Sequence, residues 1–207
     1  MHIHPRYLAP MALSAFVIAC TPERAAPSAP SQTQYDTEAL VAQAQDVVER
    51  FQTALKTELV SAMQAGGPQH AVSVCEAQAP KIAQGIEAET GWRVQRVALK
   101  TRNPANQPTD TQRVVLEQFD QALRTGVGAS IPHHSFVTDK RWVYMRPIST
   151  QGVCLTCHGQ NVDADLLANI QSHYPDDLAT GFAEGDLRGA FVISAPLDTI
   201  SLPADTP

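Results

Sequence analysis

The sequence predicts an α+β fold in which long N-terminal helices pack on a central antiparallel sheet. Three observations carry this. Apolar residues recur at three- and four-residue spacing through the first part of the folded region, and period-two runs separated by turn residues follow. No strand–helix–strand alternation of the parallel kind appears. At 207 residues the chain suits one ordinary domain with tails, and no internal repeat is visible.

The elements follow in order. Leu40, Ala44, Val47, Phe51, Leu55, Leu59 and Met63 recur at helical spacing, so 36–64 reads as one amphipathic helix capped by Asp36 or Thr37. Gly66-Gly67 ends it, and Pro68 suits the first turn of a second helix carrying His70, Val74 and Cys75. Pro80 lacks the N–H that a helix interior needs, so a kink or restart is expected there. Residues 92–98 alternate as a strand, and 102–108 form a turn-rich loop of Pro and Asn. Val115, Phe119 and Leu123 place a helix over 109–125. Strands are expected at 135–138, 141–148 and 188–195, with a Cys-rich loop at 152–159 and a short helix at 164–172.

Before this lies an export pattern. Arg6 precedes an apolar stretch, 8–19, which closes at Cys20. Val17-Ile18-Ala19-Cys20 matches a bacterial lipobox, whose Cys is acylated and becomes the first residue of the mature chain. Residues 1–19 are therefore expected to be a signal peptide. Residues 20–34, rich in Pro, Ala and Ser, are expected to be a lipid-anchored tether, followed by a domain over 35–197 and a tail over 198–207. The expected location is a membrane-anchored, periplasm-facing lipoprotein. Thr21 after the Cys slightly favours the outer membrane over the inner. Acidic residues outnumber basic ones 21 to 15 and no Lys/Arg cluster occurs, which argues against a nucleic-acid partner.

Cys154-Leu155-Thr156-Cys157-His158 is C-x-x-C-H, the attachment sequence of c-type haem. Two thiols three positions apart reach both vinyl groups of one porphyrin, and the adjoining imidazole meets the iron from below. The motif-bearing loop is thus expected to hold one covalent haem c, with thioethers at Cys154 and Cys157 and His158 as proximal ligand. Half a zinc site would need two further close ligands, and a thioredoxin-like pair would need a βαβ setting. Cys75 remains unassigned in an oxidising compartment. Its residue type leaves two readings open: a small buried hydrophobe, or a thiolate sixth ligand.

Several segments resemble a known family. They are Val74-Cys75-Glu76, Ala79-Pro80-Lys81-Ile82-Ala83, Gly91-Trp92 with Arg96, and the run from Leu99 to Asn106. The run from Cys154 to Gly159, and Gly185-Asp186-Leu187-Arg188-Gly189-Ala190, complete the set. Over about 35–196 the chain resembles the haem-c-binding, PAS-like domain of exported bacterial proteins, described as a domain of unknown function. The resemblance implies a PAS-like α+β fold and one haem c with His/Cys axial ligation, His158 proximal and Cys75 distal. It also implies electron transfer or redox and gas sensing.

Other residues compete for roles. His70, His133, His134 and His173 are alternative ligands, and Met63 and Met145 are alternative thioether ligands, with Met63 better suited to core packing. Lys100, Arg102 and Arg188 are candidate partners for haem propionates. Asn103 and Asn106 suit loop shaping, and Asp186 suits a turn before the last strand. The expected function is one-electron transfer with an envelope redox partner. The alternative is a sensor of redox state or of NO and CO, in which Cys75 leaves on reduction and a separate signalling protein responds, with Pro80 as the flexure. No distal acid–base pair marks a peroxidase, so no enzymatic activity is expected.

Overall fold

In a computed structural model, residues 37–126 and 133–200 are described. The expected signal peptide, Cys20, the tether and most of the tail lie outside these residues. All described residues belong to one unit, 34–207.

The first helix, α1 (Thr37–Thr90), is two helical segments joined at a break where Gly66 and Gly67 leave helical geometry. Gly67 has φ 71°, a left-handed conformation that a side chain resists, and Pro68 then opens the second segment. Pro80 does not break the helix, contrary to expectation: the non-helical angles are confined to the two glycines. Pro80 is exposed. The carbonyl that its missing N–H leaves unpaired can therefore turn to water, while Ala79, Ile82, Ala83 and Ile86 hold the segment down on the inside.

The strands are β1 (Arg93–Val97), β2 (His134–Val137), β3 (Arg141–Ser149) and β4 (Leu187–Pro196), in the order β1-β4-β3-β2 and antiparallel throughout. Successive residues of a strand point to opposite faces. Trp142 and Tyr144 of β3 join Val94, Phe191 and Ile193 on one face, where Leu40, Ala44, Val47, Val48 and Phe51 of α1 cover them. Val143 and Met145 join Val97, Ala190 and Val192 on the other. There α2 (Asp110–Thr125) lays down Val115, Leu116 and Phe119, each side chain worth about 1.5–3 kcal/mol once withdrawn from water. Thr109 caps α2: its hydroxyl accepts from Gln112 N, and the Gln112 side chain accepts from Thr109 N.

The 102–108 stretch contains a single 3₁₀ turn, Pro104–Asn106, and Asn103 caps it by accepting from Ala105 N at 2.9 Å. The Cys-rich segment is more ordered than a loop. A 3₁₀ turn (Gly152–Cys154) runs into one helical turn, α3 (Leu155–His158), and α4 (Ala164–His173) follows. Val72 of α1, Leu166 and Ile170 of α4, and the half-buried Cys157 and Tyr174 form a third apolar cluster. That cluster seats the second segment of α1 against the motif.

Between β3 and β4 the register slips by one residue. Ile148 pairs with Gly189 and Ser149 with Leu187, so Arg188 is the extra residue of a β-bulge. Gly189 carries φ 154° and has no room for a Cβ against Val97 O. The bulge is what re-aims Arg188.

Candidate functional site

The C-x-x-C-H turn is closed by its own backbone. Cys154 N donates to Gln151 O at 2.8 Å, and Gly159 N to Leu155 O at 2.9 Å. The strap after α4 then grips it from outside, through Gly181 N to Gly159 O at 2.9 Å and Phe182 N to His158 O at 3.0 Å. Cys154 and Cys157, three apart on nearly helical backbone, share one face. Cys75, Cys154 and Cys157 are all free thiols, half-buried and unpaired with one another. Among the described residues no group of three or more His, Cys, Asp or Glu side chains is placed to hold a metal ion.

His158 is held in one orientation. Its Nδ1 lies 2.7 Å from Ala179 O, so the carbonyl assigns the proton to Nδ1 and leaves the Nε2 lone pair available. Burial, helped by the positive charges of Arg188 and Arg102, drives its pKa down to about 2. The imidazole is therefore neutral at any physiological pH. The edge of Phe182 stands against it, with ring centroids 6.4 Å apart.

Cys75, on the second segment of α1, faces the same region. Burial pushes its thiol up, Arg96 and Arg102 pull it down, and Cys157 is near enough to push it up again. The helix that carries Cys75 contributes Val72 to the apolar cluster that contains Cys157.

Basic residues surround the motif. Arg102 forks onto Asp177, Nε donating to Oδ1 at 3.2 Å and Nη2 to Oδ2 at 3.1 Å, and Nη2 also donates to Cys157 O at 2.6 Å. Lys100 Nζ donates to Thr180 O at 2.5 Å and lies over the Phe182 ring, as does Arg188. Burial, then repulsion from Arg102 and Arg96, lowers the pKa of Arg188 to about 10. Burial likewise lowers that of Arg96. Among the described residues only Arg102 of these three guanidinium groups has a carboxylate partner. Two incompletely neutralised guanidinium groups therefore border the motif, a setting that favours anions.

The rival ligands lie in several places. His70 is exposed just past the glycine break, and His133 stacks on Tyr144 with centroids 5.1 Å apart. His134 stands on β2 beside Phe136. His173 is bonded to Glu76 at 2.7 Å, one residue from Cys75. Met145 is fully buried under α2, and Met63 is half-buried on α1. Asp186 makes the expected turn, its carboxylate accepting from Ala183 N at 2.7 Å. Asn106 accepts from Ala98 N through its backbone carbonyl.

Sequence reasoning did not single out Arg96, Asp177 or Phe182 as site residues. Arg96 did leave a signal. It shares the parity of Val94 on β1 and so faces α1, where its guanidinium lies over the Phe51 ring at 5.8 Å. Asp177 and Phe182 left none, because only the strap's path brings them to the motif.

Residues 26–196 match the Tll0287-like family. The chain belongs to that family. Among solved structures it is similar to the crystal structure of the cyanobacterial haem protein Tll0287, at 31% identity and a TM-score of 0.57. The match covers 77% of this chain and 96% of that one. No curated protein matches it. The architecture of this chain, helices packed on a four-stranded antiparallel sheet, is consistent with the predicted PAS-like fold.

Proposed function

We propose that this chain is an exported mono-haem c-type cytochrome that passes single electrons in the cell envelope. The observation that carries the proposal is the C-x-x-C-H turn itself, with two unpaired thiols on one face and a neutral imidazole whose Nε2 is left free by the bond to Ala179 O. The residues fit the group. Cys154 and Cys157 would hold its vinyl carbons as thioethers, and His158 would be the proximal ligand. Bound there, haem supplies a one-electron ferric/ferrous couple.

Cys75 would be the second protein ligand in this reading. Burial keeps it a thiol in the protein alone, and a ferric ion would favour the thiolate, as the positive charges of Arg96 and Arg102 already do. A thiolate ligand would favour the ferric state and set the potential below that of His/Met cytochromes. Arg188 is the best placed of the candidate propionate partners, being without a carboxylate of its own, while Arg102 is already engaged with Asp177. Lys100 stands beside it across Phe182. The lipid anchor at Cys20 would keep the domain at the membrane, with an envelope redox protein as partner.

One observation favours the sensor as a second reading. The segment bearing Cys75 begins at the Gly66-Gly67 break, a better flexure than Pro80, which stays helical. Loss of the Cys75 bond could then be passed on as a movement of that segment.

The test is expression of the full chain with cytochrome c maturation. The expected protein is coloured, and its mass carries one added haem. Cys75→Ser shifts the ferric absorption spectrum, and the reduced wild type takes up neither CO nor NO if it is an electron carrier. Ready uptake of either gas would move the assignment to sensing. A colourless product would end the cytochrome reading.

A further inference from the structure

We propose that Asp177 and Arg102 are positioning residues that together set the tautomer and orientation of His158. This deepens the proposed function, because His158 is the ligand that reading depends on. One ion pair holds both ends of the imidazole's environment. Asp177 Oδ1 accepts from Ala179 N at 2.9 Å, which pins the residue whose carbonyl receives the Nδ1 proton. Asp177 also receives the fork of Arg102, and Arg102 Nη2 donates to the carbonyl of Cys157, the peptide that leads into His158. The same Nη2 reaches the Ala179 carbonyl at 3.5 Å, the outer limit of a hydrogen bond.

The acceptor of the ring and the backbone of the ring are thus referred to a single rigid pair. Its side chains are 13% and 2% exposed, so water does not screen it and neither partner has a ready substitute. The path is closed from both sides: Leu178 N donates to Thr101 O at 2.8 Å, which fastens the Asp177 turn to the residue before Arg102. A planar fork matters here. Lysine could keep the charge but could not serve Asp177 through two nitrogens and Cys157 O at once.

The experiment is ¹⁵N NMR of the His158 ring in the full chain made without haem maturation, comparing wild type with Asp177→Asn and Arg102→Lys. The wild type shows one neutral population with the proton on Nδ1. Both variants, folded by far-ultraviolet circular dichroism, lose that single population and show Nε2-protonated ring as well. Should Asp177→Asn fail to fold, Arg102→Lys carries the test. A pair serving only as a brace would lower the melting temperature of both variants and leave the ring wholly Nδ1-protonated, which would overturn the proposal. Because this readout needs no haem, it stands apart from the cytochrome reading. A matured protein lacking the added haem mass would sink that reading and leave the clasp intact.

Discussion

Gly189→Ala perturbs the residue that lets the β3–β4 ladder skip Arg188. With φ 154° this position is open to glycine and strained for alanine, and an alanine Cβ would fall against Val97 O, with Ala98 Cβ next at 3.2 Å. The nearest neighbour is backbone of β1, which cannot swing aside as a side chain would. Strain of this kind costs about 1–3 kcal/mol. Loosening the hydrogen bonds that register Ala190 against Val97 adds about 1 kcal/mol more. The sum, about 3 kcal/mol, corresponds to a fall of about 6–12 °C in melting temperature for a domain of this size. Thermal unfolding of the full chain followed by circular dichroism measures it. The bulge also aims Arg188 across Phe182 toward His158, so the matured variant is expected to show a shifted reduction potential. A melting temperature within about 2 °C of wild type would refute the reasoning, since it would mean that β1 and β4 separate at little cost.

Four further outcomes are expected. Thr109→Ala removes one half of a reciprocal cap on α2 and costs about 1 kcal/mol, read as a drop of about 2–4 °C in the same melt. Met145→Leu, a change of nearly equal volume under α2, costs less than about 1.5 kcal/mol and leaves the ferric spectrum of matured protein unchanged, because Met145 serves the core. His70→Ala, His133→Ala and His134→Ala also leave that spectrum unchanged, and a shift in any one would identify a competing ligand. Burial raises the Tyr144 phenol above its ordinary value near 10, against smaller opposing effects of Gln45 and Arg146. The folded chain therefore keeps a proton that the unfolded chain sheds. That stabilisation is complete below pH 10 and is lost as pH rises through the raised value, and Tyr144→Phe removes this part of the alkaline fall in denaturant midpoint.

The parts of the fold that were readable in advance are those written within a few residues of themselves. Helical spacing placed α2 and the first half of α1, and Gly66-Gly67 with Pro68 placed the start of the second half. Alternation placed β1 and β3 to within a residue or two, and Thr109 announced its own helix. Pro80 misled because its effect depends on which side of the helix it occupies, and that side is chosen by the sheet beneath. The order β1-β4-β3-β2 was not readable either, since strands β1 and β4 meet across about ninety residues of chain.

By itself the sequence determined the chemistry on offer: a C-x-x-C-H turn, one further cysteine and a set of basic residues at named positions. Tertiary structure decided how those groups meet. Arg102 finds Asp177 at a separation of 75 residues, Ala179 meets His158 through the strap, and a one-residue slip between two strands aims Arg188. The division has a physical cause. Motif spacing acts through covalent geometry and is complete within a turn or two. The desolvation that drives His158 and Arg188 far from their ordinary pKa values exists only once distant segments have closed over them.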